Sequence, residues 1–187
     1  MDCLHKPEKR QWLAHFPGGM LYFLGCHLID LIVQIQGVPE EIFPCSTSTG
    51  LDGVTGEDNG MALLRYARAW SFAKTSACEP GEFLRRQLVV CGSKKTVELR
   101  PLEEYVPNSG GLQITRARVA SDPGWHVDGE RLVSEGVDRY DAMLADFARH
   151  GGEKENEFTP EYECRLHRII LACCGVKDVD WKAEIKL

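Results

Sequence analysis

The sequence predicts an α+β fold, a mainly antiparallel, open β-sheet with helices packed on one face. Segments of strand character are grouped between residues 41 and 119 and are joined in succession by turn residues such as Asp58-Asn59-Gly60 and Glu79-Pro80-Gly81. Segments of helical spacing stand before and after that group, so helices and strands are segregated rather than alternating as a parallel sheet requires. The chain has 187 residues, with 43% hydrophobic and 27% charged content, enough for one domain with a sizeable core.

Residues 7–16 read as a short amphipathic helix, with Pro7 near its start and Trp12, Leu13 and Phe16 on one side. Gly18-Gly19 breaks it. Residues 20–36 form a nearly all-apolar helix closed by Gly37, with Pro39 beyond. Strands are predicted at 41–47, 60–67, 69–77, 83–90 and 96–100, and a less regular alternation over 112–119 adds another. Residues 125–133 read as short or irregular. Helical spacing returns at 138–149, with Tyr140, Met143, Leu144 and Phe147, and at 160–174, with Leu166, Ile169, Ile170 and Cys173. Gly151-Gly152 ends the first of these, and Thr159-Pro160 opens the second as a cap followed by a first-turn proline. A sheet with all its helices on one side leaves the other side solvated or covered by a partner. Leu63, Tyr66, Trp70, Phe72 and Phe83 either line that open side or point to the helices.

The chemistry is concentrated in the helix at 20–36. His27 and Asp30 lie one turn apart, and Gln34 follows at four, so the three share a stripe on an otherwise apolar helix. A helix that apolar is normally buried, and polar groups there must find partners or face a cavity. Two readings stay open. The pair can be a structural bond that holds the helix in register, or an imidazole and a carboxylate facing a pocket. In the second, histidine's ordinary pKa of about 6.5 suits a proton relay, with Asp30 orienting the ring. Of Arg85-Arg86, one side chain can point into a pocket or brace a carboxylate, against the simpler reading of a surface arginine. His126 and His167 read as surface or structural groups, and residues 151–157 as a solvated charged loop.

Composition excludes several classes. A net charge of −6 argues against nucleic acid as the main partner. No apolar run approaches the roughly 18 residues of a membrane span, and the first residues lack the apolar centre of a signal peptide, so a cytoplasmic location is expected. The eight cysteines are scattered with no Cys-x-x-Cys spacing, which points to thiols in a reducing compartment and to no metal site. Cys26 adjoins His27 but points elsewhere on a helix. No G-x-G-x-x-G turn opens a helix, so no dinucleotide fold is expected within the chain, and Gly50, Gly53, Gly56 and Gly60 read as a hairpin connection.

Residues 18–32, GGMLYFLGCHLIDLI, resemble the Gly-Gly…Gly-x-His-x-x-Asp segment of the Gfo/Idh/MocA family of NAD(P)-dependent oxidoreductases. The likeness continues in order through NGMALLRYARAWSFAKTSA, EFLRRQLVVCGSKKTVELRPLE, RYDAMLADFARHGGEKEN and YECRLHRIILACCG. The resemblance covers nearly the whole chain, 1–187, as the family's C-terminal domain, of glyceraldehyde-3-phosphate dehydrogenase-like fold. It implies a Rossmann domain as partner, in the same polypeptide or a separate one. NAD or NADP would serve the complete enzyme, with no cofactor bound by this chain alone. It also implies a sugar, inositol or related hydroxy compound as the small-molecule substrate, and a homo-oligomer through the open sheet face. His27 falls on the family's active-site histidine and is the catalytic candidate; Asp30 and Arg85 are the substrate-binding candidates. Tyr105 and Trp125 fall in segments that can border the pocket. Phe23 stands where many members carry an aspartate, which points to a less polar substrate, and Lys95 where many have a glycine. Lys6-Pro7 echoes the family's Glu-Lys-Pro motif but stands too close to Gly18-Gly19 to carry its role. A second expectation is a non-catalytic, sheet-mediated dimer or ligand-binding module derived from the family.

Overall fold

The computed structural model describes residues 3–81, 83–121, 124, 128–138, 140–150 and 158–185. Trp125, His126 and the charged segment 151–157 lie outside the described residues. In chain order the elements are α1 (Pro7–Trp12), α2 (Cys26–Gln36), β1 (Glu41–Pro44), β2 (Asn59–Tyr66), β3 (Ala69–Ser76), β4 (Leu88–Cys91), β5 (Thr96–Leu99), β6 (Glu104–Tyr105), β7 (Gln113–Ile114), β8 (Arg116–Ala120), β9 (Glu130–Val133), α3 (Asp141–His150) and α4 (Pro160–Cys173). All strand pairs are antiparallel, and the mixture is α+β as the sequence predicts. Among the described residues the strands fall into three sheets, ordered β1-β2-β3, β4-β5-β8-β9 and β6-β7. The chain divides into two compact units, Met1–Pro80 with Glu157–Leu187, and Gly81–Asn156.

In the first unit α2 rests on β3, and α4 rests on β1, β2 and α2. The buried face of the sheet carries Ala62, Leu64 and Ala73 against Leu28, Ile29, Ile32 and Val33 of α2 and Leu166, Ile169, Ile170 and Cys173 of α4. Thr159 accepts the Tyr162 N–H at 3.2 Å, the cap that the Thr-Pro pair predicts. The helix predicted over 20–36 is not uniform. Leu21–Gly25 forms a π-helical turn, and regular α-helix begins at Cys26. Glycines make this seat possible. A Cβ on Gly60 would lie 2.7 Å from Leu21 Cβ and 2.9 Å from its backbone nitrogen, and a Cβ on Gly25 would lie 3.2 Å from Thr75 Cγ2. The entry at Gly18 and Gly19 turns through φ values of 69° and 46°, the left-handed region in which glycine is strain-free.

The opposite sheet face is open. Phe43, Leu63 and Phe72 lie side by side across three strands, next to the row Glu41, Arg65 and Trp70. Trp70 is 60% exposed and Phe72 66%. Arg65 binds Glu41 at 2.6 Å and Glu40 at 3.1 Å. The strand register thus separates the aromatic candidates: Leu63, Trp70 and Phe72 share the open face, whereas Tyr66 packs against the core. Within its sheet β1 is an edge strand, and it ends at Pro44.

The second unit departs further from expectation. Residues 83–90 are not one strand: Phe83–Arg85 is a 3-10 turn, and β4 begins only at Leu88. The Phe83 ring stacks on Tyr105, 5.4 Å between centroids, which holds the segment in a turn. The alternation at 112–119 breaks at Thr115 into β7 and β8, and β9 occupies part of the stretch read as irregular. The apolar stripe of α3, Met143, Leu144 and Phe147, is exposed. No helix among the described residues is long and apolar enough to cross a membrane.

The connection between β1 and β2 is pinned by a buried ion pair. Arg10 of α1 is 2% exposed and Asp58 0%. The Arg10 guanidinium reaches Asp58, Cys78 and the Leu51 carbonyl, each at 3.4 Å, and also bonds Asp52. Asp58 accepts the Thr49 N–H and hydroxyl, both at 2.8 Å, and the Cys78 thiol at 3.1 Å. Burial raises the Asp58 pKa, but the Thr49 N–H, the Cys78 thiol, the Thr49 hydroxyl and Arg10 outweigh it and hold the carboxyl below its ordinary value. A carboxyl so held contributes stability that is present above about pH 4 and is lost as pH falls through the lowered folded value. Asp58→Asn should therefore cost about 3 kcal/mol at neutral pH and flatten the acid limb of stability against pH. Urea midpoints of the two proteins across that range check it.

Candidate functional site

α2 delivers the predicted polar stripe, but in two environments. Asp30 is half-buried and accepts the Tyr162 phenol at its Oδ1, 2.5 Å away. The Tyr162 pKa is raised by burial first and then by Asp30, the acceptor of its proton, while Gln34 bonds the same side chain. His27 is exposed. No hydrogen bond joins His27 to Asp30 among the described residues, so the carboxylate predicted to orient the imidazole is engaged by α4 instead. What the arrangement presents chemically is an accessible imidazole and, one turn along the same stripe, an Asp30 carboxylate held by the Tyr162 phenol.

Phe23 belongs to the π turn just before α2. Its ring packs edge-on against Trp12 at 5.5 Å and against His5 at 6.3 Å. Lys9 Nζ sits 4.3 Å from the Phe23 ring centre and 3.7 Å from that of Trp12. Rings continue from Trp12 to Phe16, Tyr22 and His167, with successive centroids 4.6, 5.9 and 6.2 Å apart. The surface preceding His27 is thus aromatic and cationic, with no carboxylate at residue 23.

Arg85 ends the 3-10 turn of the second unit and is exposed. The brace expected of one member of the pair is made by Arg86, which bonds Glu103 at 2.8 Å and covers the Phe83 ring at 4.8 Å. Tyr105 is exposed and stacked on Phe83. No two cysteines form a disulfide, and no cluster of three or more His, Cys, Asp or Glu side chains suited to a metal occurs, among the described residues.

Two groups escaped sequence reasoning. Tyr162 lies 132 residues from Asp30, and no local pattern pairs them. Cys3 and His5 alternate on an extended segment, a period-2 signal that is present in the sequence, and Cys3 Sγ lies 3.0 Å from His5 Nε2.

Comparison with known proteins adds the following. The model of the GFO/IDH/MocA C-terminal domain matches residues 3–98. Among solved structures, a protein of Desulfitobacterium hafniense assigned as an NADPH-dependent oxidoreductase superposes with TM-score 0.62 and 22% identity, over 92% of this chain and 50% of its own. One from Klebsiella pneumoniae assigned as an oxidoreductase gives 0.63 and 23%, over 94% and 51%. The protein yvaA of Bacillus subtilis, likewise assigned, gives 0.64 and 17%, over 84% and 49%. The chain thus spans about half the length of the solved proteins it resembles. Among proteins of curated function, none matches by sequence.

Removing the phenolic donor leaves the Asp30 carboxylate without its partner on α4. Tyr162→Phe should lower stability by about 1–2 kcal/mol in denaturant unfolding. A change within about 0.5 kcal/mol would mean the bond contributes nothing.

Proposed function

The chain belongs to the GFO/IDH/MocA C-terminal domain family, and from that membership we propose that it is the substrate-binding and oligomerisation part of an NAD(P)-dependent oxidoreductase. The substrate class is a sugar, inositol or related hydroxy compound, and the setting is cytoplasmic. The single observation that supports the reading is His27, exposed on α2 at the position that matches the family's active-site histidine.

The residues present do not fit the dinucleotide. Among the described residues every strand pair is antiparallel, so no βαβ unit supplies the helix N-terminus that cradles a pyrophosphate. The redox step belongs to a Rossmann partner, in the same polypeptide or another. This chain contributes a proton acceptor. His27 is suited to take the substrate's hydroxyl proton, because a neutral imidazole nitrogen can accept a proton and later return it. Asp30 adds a negative charge one turn away, held by Tyr162. Phe23, covered by Trp12 and Lys9, offers an apolar edge in place of a hydroxyl-binding carboxylate, which favours a substrate with fewer hydroxyls on that side.

A second reading is a non-catalytic binding or dimerisation module. The missing His27–Asp30 bond and the aromatic residue at 23 favour it. Assay decides between them. Nicotinamide cofactors titrated into the isolated chain should show no saturable binding at micromolar concentration. In the assembly with its Rossmann partner, polyol-dependent reduction of NAD(P)+ should fall about 10²–10⁴-fold in His27→Gln. Unchanged turnover in that variant removes the catalytic reading.

The open aromatic face is the proposed surface for a second copy. It offers Phe43, Leu63, Trp70 and Phe72 with charged pairs at its margin, the apolar-centre and polar-rim composition of protein interfaces. Sedimentation should find an oligomer for the wild type and a monomer for Phe72→Glu. A monomeric wild type would contradict the assignment.

A further inference from the structure

The residues before α1 run as an extended segment along the end of β3. Cys3 N–H donates to the Ser76 carbonyl at 2.8 Å, His5 N–H donates to that of Ala77 at 2.9 Å, and Leu4 pairs with Cys78. Alternate residues of an extended chain face the same way. The Cys3 thiol and the His5 imidazole therefore share a side, with Sγ 3.0 Å from Nε2. The imidazole rests against Phe23, and the Lys9 ammonium lies over that same ring.

We propose that Cys3 is a covalent modification site, a thiol activated by His5 that exchanges with low-molecular-weight disulfides. The proton passes from Sγ to Nε2, and the thiolate attacks one sulfur of the incoming disulfide. A Cys3–sulfur bond forms as the original sulfur–sulfur bond breaks, and the departing thiolate takes the imidazolium proton. The small disulfide is the oxidant, and its reduced half leaves. A thiolate beside a protonated imidazole is the arrangement that makes cysteines reactive, and Cys3 is half-buried rather than sealed in the core.

The other seven cysteines are set apart by their surroundings. Burial pushes Cys174 up to about 12 and Cys173 higher still, and both thiols are buried. Burial also raises Cys26. Cys78 is raised by burial and by Asp58, the acceptor of its proton. Cys45 faces the Phe43 carbonyl at 3.5 Å. Cys91 and Cys164 are exposed. None of these seven has an imidazole partner among the described residues. Among the described residues, the charged groups near the Cys3–His5 pair include Lys9 of α1, the exposed Lys6 and Glu8 beside it in sequence, and, past Leu4, the buried Cys78–Asp58–Arg10 network. The proposal stands apart from the oxidoreductase reading, since its readout is labelling rather than turnover.

The experiment treats the whole chain with oxidised glutathione and follows each cysteine by peptide mass spectrometry across pH. Cys3 should form its mixed disulfide about tenfold faster than Cys91 and Cys164 at neutral pH, although both are more exposed. Its rate should rise at a lower pH than the ordinary thiol value of about 8.5. His5→Gln should bring the Cys3 rate down to that of the exposed cysteines and move its midpoint back toward the ordinary value. Equal or slower labelling of Cys3 in the wild type overturns the proposal, as does a pH midpoint that His5→Gln leaves in place. Should His5→Gln fail to fold, the wild-type ranking and midpoint decide alone.

Discussion

The closeness of one helical turn to one hairpin underlies everything else in the first unit. Leu21 lies so near β2 that the strand has no room for a side chain at residue 60, and Gly60 provides the gap. Gly25 keeps the turn in close contact with Thr75 of β3, where an added Cβ would lie 3.2 Å from Cγ2. This seating fixes the start of α2, and with it the direction in which every side chain of that helix projects. A shift of a single residue in a helix rotates its faces by about 100°, so His27, Asp30 and the apolar stripe of Leu28, Ile29, Ile32 and Val33 are oriented together. Ångström-scale packing between backbones decides where the polar groups go.

Given that orientation, the two ionisable groups of α2 serve different ends. Asp30 turns toward α4 and joins two helices through Tyr162, so its charge is part of the fold as well as of the proposed site. Among the described residues His27 makes no such bond, and it stays accessible.

Much of this was legible in the sequence, for local reasons. The cap at Thr159-Pro160, the stop at Gly37 and the two long strands of the hairpin follow from short-range rules, and each is present. The stripe of His27, Asp30 and Gln34 was read from spacing alone, and Tyr162 meets two of its members, Asp30 and Gln34. Tertiary partners were not legible: nothing near Asp30 announces Tyr162, and nothing near Arg10 announces Asp58. The π turn was hidden because Leu21–Gly25 continues an unbroken apolar run with no proline to mark the change. β6 and β7, of two residues each, are too short to show a period. The open sheet face was ambiguous until register resolved it, since Tyr66 and Trp70 are equally attractive as core or surface residues.

Pro44 closes the exposed border of the sheet beside Glu40, Glu41 and their partner Arg65. Proline has no N–H to offer a further strand, and charges along a border repel an uninvited one. Ladder-like growth of the sheet through β1 into fibrils is thereby discouraged, even though its broad aromatic side remains exposed.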